Sequence, residues 1–483
     1  PLTFSDEGYA RSEDAIIAYT YDKFLNDPDP HSTWPLLLPM VKSAVQAMTE
    51  TQEYLAGLAT PVTVDDFIVN GASKRGWTTW LTACVDNRVR AIIPMVIDVL
   101  NMEEQMSHHK QAYQGYDPNS VTYHMHGGYS TAIDDYVDKN VFQRFGTPES
   151  DALLEIVDPY RYIERLDMPK LIINSTGDQF FLPDSSRFYI DQLNALYNNN
   201  WIDYMPNTDH GLGFDTFDLQ DPDVQALMTT ITNFCTKVIT NTPMPTYQWT
   251  FETDGSISVT TANTVTQALL WQAHNDNYRD FRKENIGEAW TSSVLTPTGK
   301  SSYTASVEEP ASGWTGFFVQ LQFSEGFTFT TPIRVLPDTY PKVYGSDFTL
   351  TSSVSGTGGS ISPLGEITKS QGESADYVIT PDSGYGIDTL TDNGVSVLGE
   401  LVGNTYTIAS VANDHDIVVS FILLPVELTI NASVSGGHGG ITPNGTFTKL
   451  YDESQTFTLS PDSGYVLYDL LDNGVSVKSS VSS

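Results

Sequence analysis

The chain has 483 residues, of which 40% are hydrophobic and 11% aromatic. This composition supports packed cores in about three or four domains rather than disorder. Sixty acidic residues stand against 24 basic ones, so the formal net charge is −36, which argues against nucleic acid or an anionic membrane as a partner. No apolar run reaches the length of a transmembrane segment. Cys84 and Cys235 lie in predicted helices and are expected to be small core residues.

The first predicted elements are helices over Ser12–Phe24 and Pro39–Leu55. An apolar run at Phe67–Val69 then predicts a β-strand. This strand leads through a Gly-Ala-Ser-Lys-Arg-Gly turn directly into a predicted helix over Trp77–Val85. The turn between strand and helix is the most informative local pattern in the chain.

A serine in such a turn is held in a strained backbone conformation that keeps its hydroxyl clear of the sheet. Ser73 occupies this position, and the N–H of Lys74 can face a developing oxyanion. Gly71 and Gly76 are the small residues that a close approach of strand and helix requires. The pattern departs from Gly-x-Ser-x-Gly because Arg75 stands at the usual place of the second glycine. Ser73 is therefore a candidate nucleophile, and an ordinary turn with a capping serine is the alternative.

Two later predicted strands end in polar residues. The segment 169–178 ends at Asp178, and the segment 201–211 ends in a loop that contains His210. A helix is predicted between them over Ser185–Leu196. Taken singly, the aspartate could be a turn former and the histidine a surface residue.

The order serine, aspartate, histidine is that of α/β-hydrolase triads, in which acid and base follow successive strands at their carboxyl ends. The sequence therefore predicts a triad of Ser73, Asp178 and His210, with Ser73 Oγ and the histidine close enough to form a hydrogen bond. Asp184 is the alternative acid, and Asp209 is the third choice.

Several longer phrases are specific enough to indicate a family. They are Trp34–Lys42, Gly71–Trp77, Ile97–Met102, Ile156–Tyr160, Phe180–Ser186, Pro206–His210, Leu270–Ala273 and Gly313–Phe318. Together they resemble the PhoPQ-activated pathogenicity-related protein family, from residue 1 to about Pro337. The resemblance implies an α/β-hydrolase-type domain, a small β domain and export from the cell, and it leaves the substrate open.

The start of the chain departs from the α/β-hydrolase pattern. Several strands precede the nucleophile turn in that fold, whereas the residues before Ser73 read mainly as helix and loop, with no glycine-rich oxyanion loop. We therefore expect an N-terminally truncated domain that lacks its early strands, with an unpaired edge in its sheet. The loss of one oxyanion donor typically lowers the rate by about two to three orders of magnitude.

The segment 101–159 interrupts the alternation of helices and strands and is expected to be a cap insertion. It contains His108, His109, His124 and His126. These histidines could converge on a metal, but no acidic residue stands at a recognisable ligand spacing from them. A polar cap that lines a substrate pocket is therefore preferred, and neither a metal nor a cofactor is expected.

The fold class is α/β, with all-β modules after the first domain. The hydrolase-like domain is predicted over residues 1–241, and a small β-sandwich over 246–337 follows a proline-containing linker. Trp271, Trp290 and Trp314 in the β domain could stack on carbohydrate, but core packing is preferred.

An internal repeat follows, with an offset of 80 residues. Val354–Pro363 recurs as Val434–Pro443, and Pro381–Tyr385 as Pro461–Tyr465. The modules, predicted over 340–424 and 426–483 (the second incomplete), resemble internalin-B-type repeats of bacterial surface proteins. Asp392 and Asp472 begin Asp-Asn-Gly hairpin turns, which explain them better than calcium binding does.

The sequence thus predicts an exported serine hydrolase at the bacterial cell surface or in the medium. Ser73 attacks a carbonyl, His210 transfers the proton, Asp178 orients the histidine, and the Lys74 N–H binds the oxyanion. The substrate is an ester, with an amide as second choice, and a polymer such as a polysaccharide ester or peptide is favoured over a small molecule.

The alternative is a non-catalytic secreted or surface protein that uses the hydrolase fold for binding or signalling. The repeats would display it, and it would contact carbohydrate or the cell envelope. The acidic composition and the aromatic β domain agree equally well with this alternative. The reactivity of Ser73 separates the two hypotheses.

Overall fold

The computed structural model describes residues 14–213 and 222–482. The chain divides into two compact units, with the boundary between Ser346 and Asp347. In the first unit the helices are α1 (Asp14–Asn26), α2 (Pro28–His31), α3 (Leu37–Ala56), α4 (Lys74–Val85), α5 (Met102–Tyr113), α6 (Asp134–Asp138), α7 (Pro148–Val157), α8 (Ile190–Leu196), α9 (Pro222–Thr240) and α10 (Lys283–Ile286).

The predicted helices are present, with ends that differ by a few residues. Ser12 and Glu13, in the first of them, lie outside the described residues. The helix predicted over Ser185–Leu196 is divided into a 3₁₀ turn at Ser185–Phe188 and α8. Cys84 is buried in α4 and Cys235 is half-buried in α9, both as free thiols.

A parallel sheet lies at the centre of the first unit. Its region contains the strands β1 (Phe67–Ala72), β2 (Val89–Met95), β3 (Met125–His126), β4 (Tyr129–Ser130), β5 (Lys170–Ser175) and β6 (Asn200–Met205). The order in the sheet is β1-β2-β5-β6, all parallel, while β3 and β4 form a separate hairpin. β5 and β6 are buried at every position, as expected for parallel strands covered on both faces.

The two edges of this sheet differ. β1 is one edge strand, and its outer side has no strand partner within the described ranges, so the unpaired edge expected from the sequence is present. At the other edge, the backbone N–H of Tyr204 in β6 donates to Oγ1 of Thr330, at 3.1 Å. The β-rich segment that follows α9 therefore covers the β6 edge.

That segment contains β7 (Tyr247–Phe251), β8 (Ile257–Thr261), β9 (Val265–Asn275), β10 (Thr291–Val294), β11 (Ser302–Ala305), β12 (Trp314–Phe323), β13 (Thr328–Thr330) and β14 (Arg334–Leu336). One sheet has the order β10-β9-β12-β13, with β14 also paired to β12, and the other has the order β11-β8-β7. Trp290 and Trp314 are buried and Trp271 is half-buried, which agrees with core packing.

The β-rich segment shares its core with the parallel sheet. One hydrophobic cluster contains Ile173 of β5, Phe234 of α9, Val259 of β8 and Val319 of β12. The predicted domains 1–241 and 246–337 are therefore parts of one compact unit, because neither can bury these side chains without the other.

The boundary of this unit lies beyond the predicted joint at Pro337. The Tyr340 hydroxyl is 2.7 Å from Nδ1 of His108 in α5, and Arg187 forms a bidentate pair with Asp338 at 2.8 and 3.0 Å. The backbone N–H of Tyr344 donates to the carbonyl of Gln114. These contacts attach the residues after Pro337 to the first unit, which extends to Ser346.

The second unit consists of the strands β15 (Asp347–Ser355), β16 (Gly359–Ser362), β17 (Gly365–Ser370), β18 (Ala375–Pro381), β19 (Tyr385–Asp392), β20 (Val395–Ser396), β21 (Thr405–Ile408), β22 (His415–Leu423), β23 (Glu427–Ala432), β24 (Gly439–Thr442), β25 (Gly445–Leu450), β26 (Thr458–Pro461), β27 (Leu471–Asp472) and β28 (Val475–Ser476). The pairings β15–β17, β16–β18 and β19–β20 recur as β23–β25, β24–β26 and β27–β28. The strand pattern therefore repeats along the chain, while the internalin-B-type identity of the modules stays a prediction.

Asp392 is more than a turn residue. Its Oδ2 accepts a hydrogen bond from the Tyr406 hydroxyl at 2.8 Å and lies 2.7 Å from Nδ1 of His415. The side chain is buried, whereas its counterpart Asp472 is exposed. In the first repeat the carboxylate thus joins β19, β21 and β22.

A buried ion cluster joins the β-rich segment to the parallel-sheet region. Arg279 donates from Nη2 to Oδ2 of Asp184 at 2.6 Å, and Nε2 of His108 lies 2.9 Å from the same carboxylate. The side chains of all three are only 1% exposed. Burial by itself raises the pKa of Asp184, but the arginine and the histidine outweigh it and hold that pKa well below its usual range.

We expect Arg279→Met to destabilise the folded chain by about 3–5 kcal/mol, because it leaves the buried Asp184 carboxylate without its main counter-charge. Arg161→Met is the control, since Arg161 pairs with the exposed Asp151 and Glu155 and such pairs contribute about 0–1 kcal/mol. The free energy of unfolding in urea, with the transition of the first unit followed separately, measures both. Equal effects of the two substitutions would contradict the stabilising role of the cluster.

Candidate active site

Ser73 lies between the end of β1 and the first residue of α4. Its φ is 57° and its ψ is −131°, a sparsely populated combination for a residue with a side chain. Its N–H donates to the carbonyl of Met95 at the end of β2, and its carbonyl accepts from the N–H of Trp77 in α4. Ser73 thus has the strained strand-to-helix geometry that the sequence predicts.

The two glycines beside Ser73 are required by close contacts. A Cβ on Gly71 would lie 2.6 Å from the backbone of Arg75, and one on Gly76 would lie 2.5 Å from Cγ2 of Ile97. Both distances are shorter than any allowed carbon contact. The second glycine is therefore needed one position later than in Gly-x-Ser-x-Gly, and Arg75 at the intervening position is exposed.

Asp178 and His210 come together at the carboxyl ends of β5 and β6. Nδ1 of His210 lies 2.9 and 2.8 Å from the two carboxylate oxygens of Asp178. Asp178 is buried, and the side chain of His210 is 18% exposed. Burial by itself lowers the pKa of His210, but the Asp178 carboxylate outweighs it and raises that pKa above its ordinary value.

Backbone and side-chain contacts hold the two loops in place. Oδ1 of Asp178 accepts from the N–H of Phe180 at 2.7 Å, and Oε1 of Gln179 accepts from the N–H of His210 at 3.1 Å. The N–H of Gly177 donates to the carbonyl of Thr208. The acid and base loops therefore support each other directly.

The β-rich segment also supports these loops. This support was not predicted from the sequence. The N–H of Lys283 donates to the carbonyl of Gly177 at 3.0 Å. Asn207 exchanges two hydrogen bonds with the backbone of Trp290, at 2.9 and 3.0 Å. No local pattern marks these residues as neighbours of the site, because their partners lie far away in the chain.

No hydrogen bond joins Ser73 to His210. Nε2 of His210 is buried and has no hydrogen-bond partner among the described residues. Phe180 lies beside both residues: its ring centroid is 4.2 Å from that of His210, and it lines a pocket together with Ser73. The expected hydrogen bond is therefore not formed, and catalytic hydrogen bonds of this kind often tighten only when a substrate is bound.

Asp184 and Asp209 do not contact the imidazole of His210. Asp184 is held in the buried cluster with Arg279 and His108. Asp209 accepts a hydrogen bond from the N–H of Gly211. The alternative acid predicted from the sequence is thus in the wrong place to orient His210, because its carboxylate is already neutralised by a different set of partners.

Asp98 is a buried carboxyl that the sequence did not single out. It follows β2 and accepts hydrogen bonds from the Tyr189 hydroxyl and from Nδ2 of Asn174, the latter at 3.2 and 3.0 Å. Burial raises its pKa to about 7. Asn174 belongs to β5, so this carboxyl is bonded to the strand that leads to Asp178.

Two spaces open at the site. An apolar pocket, partly open to solvent, contains Ser73, and its wall includes Met102, Met106, Ile133, Val141 and Phe142 from the 101–159 insertion. A polar groove, also partly open, contains His210. The insertion therefore presents apolar side chains to the pocket beside Ser73, and the prediction of a polar lining is wrong for that pocket.

The histidines of the insertion are engaged elsewhere. His108 belongs to the Asp184 cluster, and burial lowers the pKa of His109 to about 3. His126 pairs with Asp134 at 3.0 Å, and His124 is exposed. Within the described ranges, no group of three or more potential ligand side chains could hold a metal ion, and no helix there is long and apolar enough to cross a membrane.

Comparison with known proteins adds two findings on sequence. A family model described as PhoPQ-activated pathogenicity-related protein matches residues 1–282. Autocrine proliferation repressor protein A of Dictyostelium discoideum is 32% identical over 369 residues, which are 71% of this chain and 69% of that protein. The family match includes Ser73, Asp178 and His210.

Similar solved structures include two hydrolases. The acylaminoacyl peptidase of Pyrococcus horikoshii matches with 13% identity and a TM-score of 0.29 over 41% of this chain and 27% of that chain. Acetyl xylan esterase 1 from Thermoanaerobacterium sp. matches with 16% identity and a TM-score of 0.27 over 44% of this chain and 58% of that chain. The chain thus spans less than two thirds of each.

We expect the imidazole of His210 to titrate above its ordinary pKa of 6.5. Asp178→Asn removes the charge that raises this pKa and keeps the burial that lowers it, so the variant should titrate at lower pH than wild type. The stability that this pair contributes is fully present below pH 6.5 and is lost as the pH rises through the raised pKa.

NMR of the His210 ring carbons against pH measures the pKa directly. Asp209→Asn is the matched control, because it removes a neighbouring carboxylate that does not contact the ring. A titration in Asp178→Asn that coincides with wild type would show that the Asp178 charge does not act on His210.

Proposed function

The chain belongs to the PhoPQ-activated pathogenicity-related protein family, and we propose that it is a serine hydrolase that cleaves an ester in preference to an amide. The observation that supports this most directly is the arrangement of His210. One ring nitrogen lies 2.8 Å from the buried Asp178 carboxylate, and the other is buried without a partner among the described residues. A buried nitrogen of this kind needs a hydrogen-bonding group to compensate for lost hydration.

Ser73 supplies the hydroxyl in the proposed mechanism. Its Oγ forms a bond to the carbonyl carbon of the substrate while Nε2 of His210 takes the hydroxyl proton. The carbon–oxygen bond to the alcohol then breaks, and His210 returns the proton to the departing oxygen. Water repeats the sequence on the acyl-enzyme, releasing a carboxylic acid and restoring the Ser73 hydroxyl.

Asp178 has an electrostatic and an orienting role. It accepts from Nδ1–H, which selects the tautomer whose Nε2 is the base, and it stabilises the imidazolium formed during each transfer. The pKa of His210 is raised above its ordinary value of 6.5. Activity should therefore be lost as the pH falls through this raised pKa.

The backbone N–H of Lys74 is the proposed oxyanion donor. Lys74 directly follows Ser73 and is the first residue of α4, so the positive end of the helix dipole faces the same region. The number of oxyanion donors in the complete site stays a prediction.

The cellular location of the protein is also a proposal. The family resemblance and the repeated β modules favour a secreted or bacterial cell-surface location, where a polymeric ester, a peptide or another envelope component is within reach. Contact with carbohydrate or the cell envelope belongs to the same proposal.

A non-catalytic signalling role is the second candidate. It is favoured by the name of the Dictyostelium discoideum relative, Autocrine proliferation repressor protein A, which describes a regulator rather than an enzyme. In that case the fold would bind a partner, and Ser73 would have no elevated reactivity.

A fluorophosphonate probe distinguishes the two candidates. We expect it to label wild type and not Ser73→Ala, because only an activated serine reacts quickly with this class of reagent. His210→Ala should slow labelling by roughly three orders of magnitude or more. Labelling is read by mass spectrometry of the peptide that contains the modified serine.

Ser43→Ala is the control, since Ser43 is an exposed serine in α3 and its loss should leave labelling unchanged. Circular dichroism confirms that each variant is folded. A folded wild-type chain without labelling at Ser73 would favour the signalling role.

A further inference from the structure

We propose that the substrate of this site has two chemically different halves: an apolar acyl group and an uncharged or cationic alcohol rich in hydrogen-bond donors. This inference rests on the proposed hydrolase function. It follows from the two spaces that meet at Ser73 and His210, whose linings are of opposite character.

The pocket on the Ser73 side has the apolar lining that an acyl chain prefers. The side of the pocket that the 101–159 insertion forms includes the side chains of Met102, Met106, Ile133, Val141 and Phe142. The two charged side chains of its lining form an ion pair, since Nζ of Lys74 lies 3.4 Å from Oδ2 of Asp14. An alkyl chain would be removed from water here without stranding a buried charge.

The hydroxyl of Tyr21 is a polar group in the wall of this mainly apolar pocket. Tyr21 lines the pocket, and its buried hydroxyl has no hydrogen-bond partner among the described residues. A buried donor without a partner is costly. An acyl chain that bears an ether or hydroxyl oxygen should therefore be accepted alongside a plain alkyl chain.

The groove on the His210 side fits a different group. Its lining includes Asp209 and Glu284, together with the amide of Gln179 and the hydroxyls of Ser130 and Thr131. Glu284 also pairs with Nη1 of Arg282, at 3.1 Å, so its charge is partly compensated. Carboxylate oxygens accept hydrogen bonds and repel anions, which favours hydroxyl or ammonium groups over carboxylates and phosphates.

The positions of Ser73 and His210 decide which half of the substrate lies in the pocket and which lies in the groove. Phe180 lines both the pocket and the groove, so the reacting carbonyl belongs at the junction beside it. When Ser73 Oγ bonds to the carbonyl carbon, the acyl chain stays in the pocket. The alcohol, protonated by His210 as the ester bond breaks, leaves through the groove.

The acyl half is tested with 4-nitrophenyl acetate, butanoate and hexanoate, with Ser73→Ala as the background. We expect kcat/KM to rise by about tenfold or more from acetate to hexanoate, the range that added methylenes in an apolar pocket supply. Val141→Phe should reduce that ratio by filling the pocket. Phe142→Ala should shift the preference to longer chains by enlarging it.

The two pocket variants act in opposite directions, so a folding failure in one leaves the other informative. Val121→Trp is the control, because Val121 lies in the same insertion but is 87% exposed, and the ratio should match wild type. A ratio near one in wild type, or one that neither pocket variant changes, overturns the assignment of the acyl pocket.

The alcohol half is tested with hexanoate esters of 4-hydroxybenzamide and 4-hydroxybenzoate, which are similar in size and differ in charge. We expect the amide ester to be preferred by about tenfold, and Glu284→Gln to narrow that preference because it removes a local carboxylate. Glu50→Gln, an exposed carboxylate in α3, changes the net charge equally and should leave the preference as in wild type.

These outcomes are distinguishable from failure of the hydrolase proposal. Absence of both Ser73-dependent turnover and fluorophosphonate labelling overturns the hydrolase function itself. Ser73-dependent turnover with no preference for acyl length or alcohol charge leaves the hydrolase function in place and overturns only the two-sided substrate. An equal effect of Glu284→Gln and Glu50→Gln would attribute the charge preference to the overall acidity of the chain.

Discussion

The close approach of β1 and α4 is the constraint on which the geometry of the site depends. Neither Gly71 nor Gly76 has room for a Cβ, because the nearest atoms would be 2.6 and 2.5 Å away. With strand and helix at this distance, Ser73 must adopt a positive φ, which costs of order 1–3 kcal/mol. Burial of the large side chains of α4, Trp77 and Trp80, offsets that cost and keeps the turn in place.

The loops after β5 and β6 depend on a different set of contacts. They are bonded to each other through Gly177 and Gln179, and they are held from outside by the backbone of Lys283 and Trp290. The β-rich segment therefore helps to position the loops that bear Asp178 and His210. This explains why the first unit does not divide at the linker: the cluster that contains Ile173 and Val319 is continuous across it.

The insertion between β2 and β5 has two kinds of side chain with separate roles. Its apolar residues, such as Met106 and Phe142, line the space beside Ser73. Its buried His108 is bonded to Asp184 and Tyr340, away from that space. A segment rich in polar residues thus presents apolar side chains to the pocket beside Ser73, while its Ser130 and Thr131 line the groove beside His210.

Local patterns in the residues were sufficient for the turn at Ser73, the strand ends that bear Asp178 and His210, and the 80-residue recurrence of the β strands. The turn and the strand ends follow from hydrophobic periodicity and turn residues within about ten positions, and the recurrence follows from comparing segments 80 residues apart. The partners of Asp184, the inward face of the insertion and the boundary of the first unit were decided by tertiary packing. Asp184 meets His108 and Arg279 across separations of 76 and 95 residues. Whether a carboxylate orients a histidine at the active site or neutralises a buried arginine depends on which side chains the folded chain brings within about 3 Å of it, and local spacing in the sequence contains no record of that.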